Sequence, residues 1–167
     1  MALSAAEQVF LLLLSNARHG TERAARFYEE ISHYSPYADI KENLHSRALM
    51  ASKTVTVLDE CFGLLRMAPV RARGRVEEAF ADDFRHELIE LQSPTTVALF
   101  ILAKATHLQN FRTAEYVAVA ASAEVAGHPE IAALLERCLA EYLSSMERTR
   151  GMIRDAVAEN IAHKPAA

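Results

Sequence analysis

"AEVAGHPEIAALLE", residues 123–136 of a 167-residue chain, decides the fold. Gly127 can take the left-handed conformation that closes a helix, and Pro129 suits the first position of the next, where a missing N–H leaves no bond unmade. After the turn Ile131, Leu135, Leu139, Tyr142, Met146, Ile153 and Val157 recur along one helical face. Before it, Ser93 is a natural N-cap and Pro94 a first helical residue, so one long helix runs from "SPTT" to Gly127. A short connection between two long helices makes an antiparallel hairpin.

Working outward, Pro36, Pro69 and Pro165 also fall between periodic segments. A first helix is expected from the N-cap Ser4 to His33, and a second from about Pro36 to Met67, on which Ile40, Leu44, Ala48, Ala51, Val55, Leu58, Phe62 and Leu65 share a face. They form another hairpin. The basic connection "APVRARG" leads to a shorter helix from Arg75 to about Leu91, which should cross the side or end of the bundle. The expectation is all-α: an antiparallel four-helix bundle of two long hairpins, with a short extra helix in the crossover. It forms one domain over residues 1–164, with a frayed tail at 165–167.

Composition agrees. Hydrophobic residues make up 51% of the chain and 30 of them are alanine, Trp is absent, and Gly and Pro number five each, which favours helices over strands. The net charge of −4 is interspersed, with no block of Lys and Arg for nucleic acid or an anionic membrane. Val9–Leu14 is a run of six apolar residues without a basic segment before it, too short for a membrane span. A soluble, cytoplasmic protein is expected. Cys61 and Cys138 sit in helical patterns and read as buried, reduced thiols.

Helical bundles can hold metal pairs on Glu residues and Glu-x-x-His pairs, because the i, i+3 spacing puts both ligands on one face. Glu30 with His33 and Glu42 with His45 match formally and flank the first hairpin turn; Asp83 with His86 is a weaker relative. His19 and Glu22 are a further pair on the first helix, equally readable as an ordinary surface contact. No Gly-x-Ser-x-Gly, phosphate loop or Cys-x-x-Cys occurs, so no catalytic or cofactor-binding residue is expected.

From "ALFILAKATHLQNFRTAEYVAVAASAEVAGHPEIAALLERCLAEYL" onward, and less sharply over most of its length, the chain resembles the YciF/YciE family of bacterial stress-associated proteins. "AEVAGHPEIAALLE" is similar to that family's "AEQLGxxxAAxLL", and "NLHSRALMASKTVTVLDECF" to its "IERLxxVF" rhythm. The resemblance implies a ferritin-like bundle with a di-metal centre of carboxylates and histidines. Here the corresponding positions are altered: Thr21 in the first helix, Leu49 and Ser52 in the second, Gln109, Asn110 and Arg112 where "VEHYE" would stand, and Glu141 among Ala140, Tyr142 and Met146 in the last.

Amides, hydroxyls and a guanidinium remove both the ligands and the negative charge that two cations need. No metal or other cofactor is therefore expected in the core, with Arg112 in the cation's place, paired to Glu141 or Glu22 and hydrogen-bonded to Gln109. The alternative is that Arg112 leaves the core for solvent. The functional expectation is a non-catalytic structural or interaction protein of a stress context, forming a homodimer. Against it stands an atypical iron or manganese site, from His19, Glu22 and Glu141 or from Glu30, His33, Glu42 and His45. An apolar-ligand carrier is a third reading, resting on Ala118, Ala120, Ala121 and Ala123, which more simply permit close helix packing.

Overall fold

The computed structural model describes residues 3–70 and 75–162, and these form five helices: α1 (Ala5–Ser32), α2 (Ala38–Leu65), α3 (Arg75–Ile89), α4 (Pro94–Val125) and α5 (Pro129–Ala162). Expected and observed boundaries agree to within two or three residues because the punctuation is local. Ser4 and Glu7 form a capping box on α1, with the Glu7 carboxylate accepting from the Ser4 N–H at 2.7 Å. The Ser93 hydroxyl accepts from the Thr96 N–H at 3.1 Å at the head of α4. Gly127 has φ +84°, and the His128 N–H donates to the Ala123 carbonyl at 2.9 Å, closing α4 as a Schellman turn. The expected tail at 165–167, and residues 71–74 of the basic connection, lie outside the described residues.

The four long helices make the expected antiparallel bundle. α1 packs on α2 and α4, and α5 packs on α4 and α2. The start of α2 lies at the end of the bundle where α4 begins, so the crossover must travel its whole length, and α3 lies along its side between α1 and α4. Phe84, the one fully buried residue of α3, inserts between Phe27 (ring centroids 5.2 Å) and Phe100 (5.4 Å, stacked). Charged contacts hold the rest of α3: Arg23 to Glu78 at 2.6 Å, Arg85 to Glu30 at 2.7 Å, and Lys104 to Glu87.

The core divides in two. One apolar cluster gathers Phe10, Leu14, Ala17, Leu58, Cys61, Tyr116, Val119, Leu135 and Tyr142. The other gathers Ala24, Phe27, Tyr28, Ile31, Leu44, Phe84, Ile101, Leu102 and Leu108. Each long helix passes from one to the other through a buried polar step: Thr21 on α1, Thr54 on α2, Gln109 and Arg112 on α4, Ser145 and Thr149 on α5. A polar belt therefore crosses the middle of the bundle.

Candidate functional site in the polar belt

Arg112 is the centre of the belt and is completely buried, so it does not leave the core. Its Nη2 donates to the Ala17 carbonyl at 2.6 Å and to Thr21 Oγ1 at 2.9 Å. A hydroxyl has one proton and two acceptor positions. Thr21 donates to the Ala17 carbonyl at 2.6 Å, so it accepts from Arg112 and the 2.7 Å contact with the Tyr116 hydroxyl has the phenol as donor. Nη1 pairs with Glu77 of α3 at 3.4 Å and with Glu115, one turn along α4.

Room for this comes from Gly20. A Cβ there would lie 2.8 Å from the Arg112 Cζ and closer still to Nη1. The guanidinium thus lies on bare α1 backbone, which is why a helix interior carries a glycine.

A second arginine, Arg47 of α2, is buried to 1% exposure. Its Nε donates to Asn43 Oδ1 at 3.0 Å and its Nη1 to the Ala105 carbonyl at 3.3 Å, with the guanidinium carbon 5.7 Å from the Tyr28 ring centre. No carboxylate lies within ion-pair distance of it among the described residues. Gln109 Nε2 donates to the Tyr142 carbonyl at 2.7 Å, and Tyr142 stacks on Tyr116 with ring centroids 5.1 Å apart. Burial raises the pKa of Tyr28, takes Tyr116 up to about 12 and Tyr142 well above the usual value, so all three remain neutral phenols. Burial also raises Glu115 to about 7, with Glu77 adding to the shift and Arg112 opposing it.

Of the positions expected from the sequence, Thr21, Gln109, Arg112 and Tyr142 meet in the belt. Met146 sits at its edge, its sulfur 3.6 Å from the Thr113 hydroxyl. Asn110 and Glu141 are exposed and belong to the surface. Leu49, 58% exposed, and Ser52 face solvent, so that frame on α2 does not look into the core, where Leu44, Arg47, Ala48, Ala51 and Thr54 are the buried positions. The partners of Arg112 also differ from expectation. Glu22 is held by Arg18 at 3.3 Å and Arg26 at 2.7 Å, and Glu77 and Glu115 take its place and that of Glu141. Gln109 bonds α5 and not Arg112.

The hairpin-turn residues are not gathered either. His45 pairs with Glu29 at 2.9 Å, Glu30 with Arg85, His33 Nδ1 lies 2.8 Å from the Glu29 carbonyl, and Glu42 is exposed. His19 accepts from Arg23 Nε at 2.9 Å. Among the described residues no three His, Cys, Asp or Glu side chains converge. Cys61 and Cys138 are free and buried, and burial pushes their thiols to about 12 and about 11. Arg47, Tyr28, Tyr116, Gly20, Glu77 and Glu115 were missed by sequence reasoning. The signal for Arg47 was present, since it stands between Leu44 and Ala51 at helical spacing.

No described helix is long and apolar enough to cross a membrane. Residues 5–162 match a family described as a domain of unknown function, DUF892. The fold is similar to that of the Escherichia coli stress protein YciF, with TM-score 0.85, 18% identity, and 93% of this chain and 99% of that one covered. It is similar also to that of YcfI from Rhodopseudomonas palustris, a candidate structural protein, with TM-score 0.83, 19% identity, and 89% and 94% covered. No curated protein matches.

Proposed function

Since the chain belongs to the DUF892 family, whose description assigns no activity, we propose from its polar belt that it is a non-catalytic, metal-free ferritin-like bundle acting as a structural or interaction protein. The observation that carries this is Arg112: a permanent positive charge, fully buried and bonded to both neighbouring helices, occupies the middle of the bundle. A guanidinium repels cations and has no lone pair to give them. Around it are phenols, an amide and hydroxyls, and its two carboxylate neighbours, Glu77 and Glu115, are already its own ion-pair partners, a set without imidazole that does not fit a di-metal centre built on several carboxylates and histidines.

A stress-related, homodimeric role in the cytoplasm completes the proposal. In support, the similar YciF is described as a stress protein and YcfI as a candidate structural one, which at these identities is a likeness of fold. Metal analysis of protein purified without chelator tests the reading. Far less than one iron, manganese or zinc per chain is expected. Two iron or manganese ions per chain would overturn it and restore the metal-binding alternative.

A further inference from the structure

The belt has an imbalance that its own hydrogen bonds leave open. Five buried side-chain atoms of its arginines, phenols and amide have no well-aligned protein hydrogen-bond partner: Tyr28 Oη, Arg47 Nη2, Arg112 Nε, Tyr142 Oη and Gln109 Oε1, with the Arg47 and Tyr28 side chains facing each other. Four of these carry protons to donate and one can only accept. Their owners are at most 1% exposed.

Four of the five belong to side chains linked by their contacts, and these define one level of the core. Arg47 is anchored on the Ala105 carbonyl and leans over Tyr28, while Gln109, one turn along α4, is anchored on Tyr142. One turn is about 5.4 Å. Unpartnered groups of α1, α2, α4 and α5 are therefore neighbours in this part of the core, with Tyr28 close enough to Tyr142 to influence its phenol electrostatically. Arg47 brings a full positive charge, whereas the carboxylates of the belt, Glu77 and Glu115, are both at Arg112. An isolated buried charge costs several kcal/mol unless something compensates it.

We propose that this level of the core binds a small monovalent inorganic anion of chloride size, held by Arg47 Nη2 and the Tyr28 and Tyr142 hydroxyls. The anion compensates the positive charge of Arg47 and accepts the protons of Arg47 Nη2 and the two phenols. Small size follows from burial, since the side chains that would hold it are at most 1% exposed. The proposal rests on the reading that this core holds no cation, which metal analysis tests separately.

The experiment uses the full chain, freed of halide and returned to chloride or bromide at constant ionic strength with a bulky organic anion. Binding to the folded state alone raises the melting temperature by about 3–5 °C per tenfold rise in halide above its dissociation constant. Crystals grown in bromide should give an anomalous peak in hydrogen-bond contact with Arg47 Nη2 and the Tyr28 hydroxyl. Arg47→Met, similar in length and uncharged, should melt independently of halide. Should that variant not fold, Tyr28→Phe, which removes one donor, must weaken the halide dependence at least several-fold. Water alone at these atoms, with a wild-type melting temperature indifferent to halide, overturns the proposal, and a metal-free result beside it would leave the functional reading standing.

Discussion

At Gly20 the helix forgoes about 1 kcal/mol of intrinsic stability relative to alanine, and the contact with Arg112 explains why. Gly20→Ala should lower stability by about 2 kcal/mol, because the guanidinium must give up its bonds to Ala17 and Thr21. In an Arg112→Leu background the same change should be neutral or stabilising, and a double-mutant cycle by urea denaturation reads the sign reversal. Glu115 gives a pH signature. Its folded pKa of about 7 lies above the unfolded value near 4.5, so the folded chain holds more protons between them, and stability falls as pH rises through that window. The loss is on the order of 3 kcal/mol at most. Glu115→Gln should flatten the denaturation midpoint between pH 5 and 8. Arg112 was legible as a site residue because it stands in the stretch that matches the resembled family's ligand cluster; its partner Glu77 was not, since it comes from an element whose placement no local pattern specifies.

Helix ends were the most readable elements, because caps are written in neighbouring residues. α2 is the informative case. It ends on Arg66 with φ 52°, a left-handed residue with a side chain, and the Met67 N–H closes the turn onto Phe62 at 3.2 Å. No glycine marked it. Arg66→Gly should raise stability by up to about 1 kcal/mol, measurable as a higher urea midpoint at unchanged m-value. The inward face of α2 was legible from its periodicity, since Ile40, Leu44, Ala48, Ala51, Leu58 and Phe62 are all buried, whereas Leu49 and Ser52, taken from the resemblance, fall outside that stripe and are exposed. α3 has one fully buried side chain, and apart from Glu77 on Arg112 its ion pairs to the bundle have exposed partners. Such pairs contribute little each. Its amides should exchange with solvent faster than those of α1 and α4, and Phe84→Ala should speed α3 exchange far more than that of the other helices.

For the molecule as a whole, the second half of α4 leaves apolar side chains on its outward side, uncovered by the other helices. Phe111 is 39% exposed and Val125 77%, with exposed Ala114, Ala118 and Ala121 between them. Phe111 and Val125 stand seven positions either side of Ala118, with Val117, 53% exposed, beside it. Two copies crossing antiparallel at Ala118 would bring each Phe111 toward the other's Val125, the self-complementarity of a two-fold interface. Sedimentation should give a dimer that Phe111→Asp dissociates, and Ala118→Cys should oxidise to a cross-linked dimer while buried Cys61 and Cys138 stay unreacted. A monomeric wild type would end this expectation.

The bare backbone at Gly20 also selects one alignment of α1 against α4 over its competitors. Sliding α4 by one turn would bring the guanidinium against Asn16 or Ala24, whose Cβ atoms exclude it, and α1 has no other glycine. Long alanine-rich helices pair almost as well after such a slip, because their apolar faces repeat every turn. A single missing methyl, set against a single buried cation, makes the register unique.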